Sequence, residues 1–203
     1  MKKIFTNIPH AVKEIARILH IEGFKCFLVG GAVRDSIMGI TPHEYDITTD
    51  AKPEDVQRMF KYTVPTGIKH GTVLVIIEDM HVEITTFRSD GNYSDGRHPD
   101  KVEYASSIEE DLPRRDLTIN AMAYNVLDGT LIDMFDGMKD IKRKVVRSVG
   151  NPYERFSEDG LRIMRAIRFA TKLNFDIEKE TFEAICHSTG MLASIAAERI
   201  REE

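Results

Sequence analysis

Apolar residues recur every three or four positions near the start of the chain, which is the spacing of one face of an α-helix. The positions concerned are Val12, Ile15, Ala16 and Leu19. The pattern predicts an amphipathic helix that begins after Pro9 and ends at Gly23, since glycine commonly follows the last helical turn. The apolar run FKCFLV at residues 24–29 then predicts a buried strand.

Short apolar runs separated by glycine and proline continue to about residue 87. The sequence GGAVRDSIMG predicts a turn and a short helix ending at Gly39, and EYDIT predicts a strand. In KPEDVQRMF, proline and two acids suit the first turn of a helix. GTVLVIIED and HVEITTF predict two strands joined by a tight turn at Asp79–Met80. We therefore expect an α/β domain in this half of the chain.

The second half begins with a long polar stretch at residues 88–115, and loops of that length are usually functional or mobile. TINAMAYNV returns to buried structure, with a hairpin expected around DGT, and from Tyr153 the pattern is helical to the end. One of these helices is expected to bury a broad apolar face, formed by Leu161, Met164, Ile167, Phe169 and Ala170. We expect an α/β domain at residues 1–150 and a helical one at 151–203.

Composition narrows the class of protein. The 203 residues are 42% hydrophobic and 30% charged, which suffices for one domain with a core and a helical extension. A net charge of −5 argues against a general nucleic-acid binder, although such binding depends on local basic patches. Two cysteines, without zinc spacing, indicate a reducing, cytoplasmic setting. Neither a membrane-spanning run nor an obligate protein partner is evident.

Two acids, Glu44 and Asp46, are separated by one residue in a predicted strand, so their side chains point to the same face. Carboxylates that close repel each other unless a cation lies between them. Mg²⁺ is the natural candidate because it prefers one or two carboxylates together with phosphate oxygens. Glu83 could join them if its strand lies alongside. A solvated strand face is an equally good interpretation of the pair alone.

The Gly30–Gly31 turn between a strand and a helix lets the backbone approach a phosphate, and Arg34 can add charge to the same anion. A plain strand–helix turn is the commoner explanation of two glycines. Further on, Arg114 and Arg115 suit phosphate recognition, and Asn120 could bind a sugar hydroxyl. A charged loop end is as good an explanation of this segment.

A third charged cluster lies in EDGLRIMRAIR, where Asp159 and Arg162 are three residues apart and are expected to share a helix face. Arg165 and Arg168 continue the row. A rigid acid–arginine pair could read the Watson–Crick edge of a base. Taken alone, such spacing more often indicates a surface ion pair.

Taken in order, these segments resemble the motifs of one family. Four segments are similar to successive motifs of the class II tRNA nucleotidyltransferases, the CCA-adding enzymes, and of the related bacterial poly(A) polymerases. These segments are GGAVRD, the acid-x-acid strand, RRDLTINAMA and EDGLRIMRAIRFA. FRSDGNYSDGRHPD resembles their flexible loop, DMFDGMKDI the segment that joins head to neck, and AAERIREE the start of the last neck motif. The resemblance covers essentially the whole chain.

The resemblance implies an α+β fold, with a nucleotidyltransferase head of the DNA polymerase beta type built on a five-stranded mixed sheet, and a helical neck. It implies that two Mg²⁺ ions activate the tRNA 3′ hydroxyl for attack on CTP or ATP, and that protein side chains select C or A. The implied catalytic residues are Glu44, Asp46 and Glu83, and the implied metal ligands among them are Glu44 and Asp46. The implied nucleotide-binding residues are Gly30, Gly31, Arg34, Arg115, Asn120, Asp159, Arg162, Arg165 and Arg168.

The sequence departs from the family pattern in three respects. Glu44 stands where the family has Asp, Leu117 stands where it usually has Phe, and the chain has nothing that corresponds to the family's body and tail domains. We therefore expect either a CCA-adding enzyme, an A-adding enzyme or poly(A) polymerase, or a catalytically impaired fragment that binds nucleotide or tRNA. The long segment at residues 88–115 disfavours a CC-only enzyme, in which this loop is shortened.

Overall fold

The computed structural model describes residues 5, 7–91 and 102–203, which divide into two compact units. The first contains the described residues up to Ser89 together with Tyr104–Leu112 and Met122–Met134. The second contains Pro113–Ala121 and Phe135–Glu203, with residues beside the undescribed segment. Most of the predicted flexible-loop motif lies outside the described residues. The division at residue 150 into head and neck stays a prediction.

The first unit follows the predicted alternation of helices and strands. Its helices are α1 (His10–Ile21), α2 (Gly31–Ile37), α3 (Pro53–Met59) and α4 (Ile108–Asp111). The strands from the first half of the chain are β1 (Cys26–Val29), β2 (Asp46–Thr49), β3 (Thr63–Gly67), β4 (Thr72–Ile77) and β5 (Met80–Thr86). The hairpin strands β8 (Met122–Tyr124) and β9 (Leu131–Asp133) also belong to this unit, whereas the short ribbon of β6 (Arg88–Asp90) and β7 (Val102–Tyr104) has residues assigned to each unit.

Among the described residues, seven strands form one mixed sheet in the order β3-β4-β5-β2-β1-β8-β9. The α+β class is confirmed, but the expected five strands are too few. Strand β3 was not predicted, and it tolerates Pro65 and Gly67 because no described strand pairs with its outer side. The hairpin expected around DGT extends the opposite side of the sheet beyond β1. Only the β2–β5 pair in this sheet is parallel among the described pairings.

The sheet buries one face across its centre. Ile47 and Val73 are the register partners of Ile84 on its two sides, and all three are at most 1% exposed. Helix α1 packs on β1 and α3 packs on β4. The four apolar positions that predicted α1 are each fully buried, so the helical periodicity identified the packed face correctly.

The second unit is mainly helical, with α5 (Gly137–Arg143), α6 (Pro152–Glu158), α7 (Leu161–Leu173), α8 (Lys179–His187) and α9 (Ala197–Glu202). A 3₁₀ turn at Thr118–Asn120 and another at Thr189–Ser194 accompany them. The expectation of uninterrupted helix after Tyr153 was wrong at one point, where β11 (Asp176–Ile177) pairs in parallel with β10 (Val145–Val146).

Two details of the predicted pattern need correction. Helix α7 buries Ile163 and Ala166, whereas Ile167 is 41% exposed, because the buried stripe is set by the neighbouring elements and not by side-chain type alone. The polar stretch at 88–115 also contains regular structure in its described part, namely β6, β7 and α4. Among the described residues, no helix is long and apolar enough to cross a membrane.

Candidate functional site

Asp46 stands at the first position of β2, at the point where the chain enters the sheet. It is exposed, whereas its neighbours Tyr45 and Ile47 are buried at 4% and 1% exposure. Glu44, just before the strand, is again exposed. The alternation therefore continues through residue 44 and places both acids on the solvent side, as the sequence predicted.

Glu83 occupies the position directly beside Asp46. The two residues are partners in the parallel β2–β5 register, and both are exposed. Adjacent strands lie about 4.8 Å apart, so these two carboxylates extend from the same face and lie close to each other. The structure thus brings the third predicted acid next to the second. Nothing in the local sequence signals this, since the two residues are far apart along the chain.

The Gly30–Gly31 turn adjoins the acids on their other side. Val29, the last residue of β1, is the register partner of Asp46, so the chain turns at Gly30 beside the first residue of β2. Gly30 has φ 65° and ψ −135°, a conformation that residues with a Cβ rarely adopt. The turn therefore requires glycine at residue 30 for conformational reasons.

Arg34 lies one turn into α2 and is only 4% exposed. Its Nε donates a hydrogen bond to Asp35 Oδ1 at 2.8 Å, and its Nη2 lies 2.6 Å from the same oxygen. A Cβ added to Gly31 would lie 3.5 Å from Arg34 Nη2, so the guanidinium lies beside the glycine turn. Asp35 was not among the predicted site residues, although it directly follows Arg34 in the sequence.

Across residues 5, 7–91 and 102–203, no three acidic, histidine or cysteine side chains converge closely enough to hold a metal ion. The donor chemistry nevertheless fits a hard divalent cation, because Glu44, Asp46 and Glu83 offer only carboxylate oxygens on one exposed face. The residues present therefore suit Mg²⁺ in kind.

Arg162, in the second unit, is 7% exposed and is held by several acceptors. Its Nη1 donates to Glu158 Oε2 at 2.6 Å and to the Arg155 carbonyl at 3.2 Å. Its Nη2 donates to the Arg114 carbonyl at 3.3 Å. The guanidinium plane is therefore fixed by the end of α6 and by the segment that carries the two adjacent arginines.

The expectation that Asp159 and Arg162 share a helix face was wrong. Asp159 lies between α6 and α7 in extended conformation, and its Oδ1 accepts the Leu161 amide at 2.9 Å. An aspartate favours this position because its carboxylate can bind the free amides at the start of a helix. Glu158, four residues before Arg162, is the acid that pairs with it. The spacing that would have revealed this pair was present in the sequence.

Arg165 and Arg168 belong to a second ionic cluster. Arg165 Nε donates to Asp116 Oδ2 at 2.6 Å, and its Nη1 lies 3.3 Å from Glu203 Oε1. Arg168 Nε also donates to Glu203, and both guanidinium groups lie over the Phe169 ring at 5.7 and 4.4 Å from its centroid. Both arginines are thus engaged by acids of their own unit.

Burial and the cluster act oppositely on Asp116. Burial alone would raise the pKa of its carboxyl, but the charge and hydrogen bond of Arg165, helped by the Leu117 amide, lower that pKa below its ordinary value. The same pair raises the pKa of the Arg165 guanidinium, chiefly through the charge of Asp116. Asp116 is therefore held as a carboxylate and keeps Arg165 in place.

Arg115 lies just before the 3₁₀ turn Thr118–Asn120, and Asn120 is the last residue of that turn. Arg115 is half-buried and Asn120 is 6% exposed. Thr118, between them, donates its hydroxyl to Asp140 Oδ2 at 2.7 Å, and Arg147 Nε donates to the same oxygen at 2.9 Å. This buried network fixes the backbone that carries Arg115 and Asn120. Sequence reasoning missed Asp140, which no local pattern distinguishes.

Comparison with known proteins identifies the family. Residues 26–147 match the profile described as the poly A polymerase head domain, and residues 174–203 match one described as a probable RNA and SrmB-binding site of polymerase A. The chain belongs to the poly A polymerase head-domain family. The resemblance drawn from the four motifs is thereby confirmed.

Named relatives agree with this family. The chain is 49% identical over 203 residues to the CCA-adding enzyme of Ligilactobacillus salivarius, covering 98% of this chain and 50% of that protein. It is 48% identical over 200 residues to the Bacillus subtilis CCA-adding enzyme, with 98% and 49% covered. The solved Bacillus stearothermophilus CCA-adding enzyme in complex with CTP superposes with a TM-score of 0.85 at 41% identity, covering 95% of this chain and 47% of that one. The chain thus spans about half the length of the curated relatives it matches.

Proposed function

We propose that this chain is the catalytic portion of a template-independent tRNA nucleotidyltransferase that adds CCA to tRNA 3′ ends from CTP and ATP. One observation carries the proposal. The glycine turn after Val29, the acid Asp46 and the acid Glu83 lie side by side on three adjacent strands. Phosphate-binding backbone and paired carboxylates at one point of a sheet are the parts that nucleotidyl transfer needs.

Glu44, Asp46 and Glu83 are the residues that would hold Mg²⁺. When bound, the metal would supply Lewis-acid stabilisation of the phosphate charge and activation of the attacking hydroxyl. The carboxylates and the triphosphate are both negatively charged, so they repel each other unless the cation lies between them. Nucleotide binding to this face is accordingly expected to depend on the divalent ion.

Gly30, Gly31 and Arg34 bind the triphosphate in this proposal. A backbone without a Cβ at the turn allows close approach of phosphate oxygens, and Asp35 holds the Arg34 guanidinium beside that turn. The reaction forms a bond between the primer 3′ oxygen and the α-phosphorus and breaks the bond to the bridging oxygen, so that pyrophosphate leaves. Glu83 accepts the hydroxyl proton.

The second unit supplies base and sugar contacts in the proposal. Arg162, fixed by Glu158 and two carbonyls, is a rigid donor that suits hydrogen bonding to a base edge, with Asp159 as the neighbouring acceptor. Arg115 and Asn120 bind the sugar and phosphates. Arg165 and Arg168 act indirectly in the proposal. Their ion pairs with carboxylates of the same unit hold helix α7, which carries Arg162, in position.

The identity of the relatives favours CCA addition over its alternatives. Both named relatives are CCA-adding enzymes, and a solved neighbour is described with primer tRNA and an ATP analogue. Addition of A alone, or poly(A) synthesis, is the second candidate, because the same head-domain profile is named for poly A polymerase. We assign the enzyme to the cytoplasm, and we assign residues 1–150 to its head and 151–203 to its neck.

The proposal is tested by incubating the chain with labelled CTP or ATP, Mg²⁺ and tRNA that lacks its 3′ end, followed by sequencing of the products. Ordered addition of C, C and A is expected. Addition of A alone to tRNA ending in CC would instead support the second candidate. Asp46→Asn is expected to add no nucleotide. Asp176→Asn, the matched control, is expected to add nucleotides as the wild type does, which would assign the activity to the acidic face.

Individual roles are separated by nucleotide preference. Arg162→Ala is expected to impair the choice between C and A, whereas Arg34→Ala is expected to weaken CTP and ATP equally, since one residue is assigned to the base and the other to phosphate. Calorimetric titration with each nucleotide measures both effects. An Arg162→Ala variant with unchanged preference would remove that residue from base recognition.

A further inference from the structure

The exposed face that carries the acids continues across the sheet as a strip of apolar side chains. Leu74 is the register partner of Glu83, and Val64 is the partner of Leu74, so both point to the same side as the acids. One row further, Ile76 is paired with His81, and the Ile76 amide donates to the Tyr62 carbonyl. We call Tyr62, Val64, Leu74 and Ile76 the β3–β4 strip.

The strip is open to solvent. Tyr62 is 60% exposed and Val64 is 38% exposed, while Leu74 and Ile76 are partly exposed. On the opposite face of the same strands, Val73 and Val75 are completely buried. Within the part of the chain that the structure describes, the strip is therefore an uncovered apolar surface, and it begins immediately beside Glu83.

The chemistry of the proposed function determines what lies on this side. In-line displacement places the attacking oxygen opposite the leaving pyrophosphate. The glycine turn that would bind the phosphates adjoins Asp46 through β1, whereas Glu83 and the strip adjoin it through β5. The primer hydroxyl must then approach from the β5 side, and the nucleotides that carry it must pass over β4 and β3.

We propose that the β3–β4 strip is the platform on which the terminal nucleotides of the RNA primer stack, an inference that rests on the proposed function. Tyr62 presents an aromatic ring at the outer end of the strip, and aromatic side chains bind unpaired bases by stacking without regard to sequence. This suits a primer end that changes from one addition to the next. Half-exposed Val64 and Ile76 provide apolar contact between the ring and the acids.

Charge on these strands also suits RNA. The segment from Lys61 to Ile77 contains no acidic residue, although the whole chain carries a net charge of −5. The Lys61 ammonium lies 5.0 Å from the centroid of the Tyr62 ring, where it is available to a phosphate next to a stacked base. Pro65 lacks an amide hydrogen, which disfavours addition of another strand at this edge and leaves the face as the binding surface.

The test compares RNA affinities by fluorescence anisotropy, using the 203-residue chain and an acceptor-stem hairpin with two unpaired 3′ cytidines. Tyr62→Ala is expected to weaken binding on the order of tenfold, since stacking of one base has about this effect. Tyr62→Phe is expected to bind as the wild type does. Tyr153→Ala removes a tyrosine that is 38% exposed on α6 and is expected to change nothing.

A second hairpin, without the two cytidines, shows which part of the RNA is bound. The difference between wild type and Tyr62→Ala is expected to vanish with this RNA. Equal affinity of the two proteins for the first hairpin, or an equal loss with both hairpins, would overturn the proposal. So would a dimer of the wild type in sedimentation that Tyr62→Ala dissociates, because a second copy would then cover the strip.

Calorimetric titration with CTP separates this inference from the proposed function. Tyr62→Ala is expected to leave CTP affinity unchanged, because the strip lies on the primer side. Failure of the wild type to bind CTP would contradict the proposed function, whatever the RNA affinities are. Normal CTP binding together with no effect of Tyr62→Ala on RNA would contradict the platform alone.

Discussion

Asp46 and Glu83 are direct neighbours across the parallel strands β2 and β5, and both carboxylates point to the exposed face. Like charges placed directly opposite each other in a sheet reduce its stability. A cation bound beside the two carboxylates would offset this repulsion. Such a local conflict with sheet stability is typical of a functional site.

Because of this repulsion, replacing Glu83 is expected to affect protein stability in opposite directions in the absence and in the presence of metal. Glu83→Gln is expected to raise the stability of the metal-free protein by about 0.5 kcal/mol, because it removes the repulsion. The same variant is expected to lose most of the stabilisation that Mg²⁺ gives to the wild type. Thermal unfolding in EDTA and in excess Mg²⁺ measures both effects. A variant that is less stable in EDTA and still stabilised by Mg²⁺ would show that Glu83 has no part in metal binding.

Glu44→Asp is expected to raise the rate of nucleotide addition while leaving nucleotide affinity nearly unchanged. Glutamate has one more methylene than the aspartate of the family pattern, and Mg²⁺ tolerates little error in ligand position. Misplacement by about 1 Å can reduce a rate on the order of a hundredfold. Single-turnover kinetics with saturating CTP isolate the chemical step. An equal or lower rate in Glu44→Asp would indicate that the backbone around residue 44 is already adapted to glutamate.

The two glycines of the turn are expected to respond differently to alanine. Gly30→Ala should lower the free energy of unfolding by about 1–3 kcal/mol, because φ 65° with ψ −135° is strained for any residue with a Cβ. Gly31→Ala should fold normally, since its Cβ would meet Arg34 Nη2 at 3.5 Å, an ordinary contact. It should nevertheless weaken CTP binding, because the Cβ obstructs the phosphate side. Denaturant unfolding and calorimetry distinguish the outcomes, and normal CTP affinity in Gly31→Ala would remove the turn from phosphate binding.

The Asp116–Arg165 pair predicts how stability depends on pH. The pKa of Asp116 is lower in the folded protein than in the unfolded chain, so folding favours its charged form. This contribution is complete above about pH 4, the range of an unperturbed aspartate, and is lost as the pH falls through the lower folded pKa. The deficit of Asp116→Asn in urea midpoint should be large at neutral pH and should shrink in acid. Asp176→Asn, which removes an exposed carboxylate of the same unit, is the matched control for the loss of one charge.

The local parts of the fold were readable from the sequence because they depend on neighbouring residues. Helix α1 followed from its apolar spacing, and the shared face of Glu44 and Asp46 followed from strand alternation. The pairing of β2 with β5 could not be predicted from these patterns, because register between distant strands depends on the packing of the whole sheet. The sequence therefore offered Glu83 only on the condition that its strand lies alongside β2, and the structure meets that condition.

The second unit shows a different limit of sequence reasoning. Asp159 and Arg162 have the spacing of a helical pair, but the helix begins only after Gly160, so the acid becomes a cap and Glu158 takes its place beside Arg162. Helix boundaries are decided by such local competition for backbone amides, which residue spacing does not reveal. Asp140 could not be identified from the sequence either, because its hydrogen-bond partners Thr118 and Arg147 are separated from it along the chain.

The central claim is that the face carrying Glu44, Asp46 and Glu83 transfers nucleotides to RNA. Its most direct test is addition of labelled CMP and AMP to tRNA lacking CCA, measured for wild type and Asp46→Asn at equal protein concentration with Mg²⁺. The account predicts ordered C, C and A addition by the wild type, and loss of all three steps in Asp46→Asn with its fold intact by circular dichroism. Addition by a folded Asp46→Asn at the wild-type rate would contradict the account.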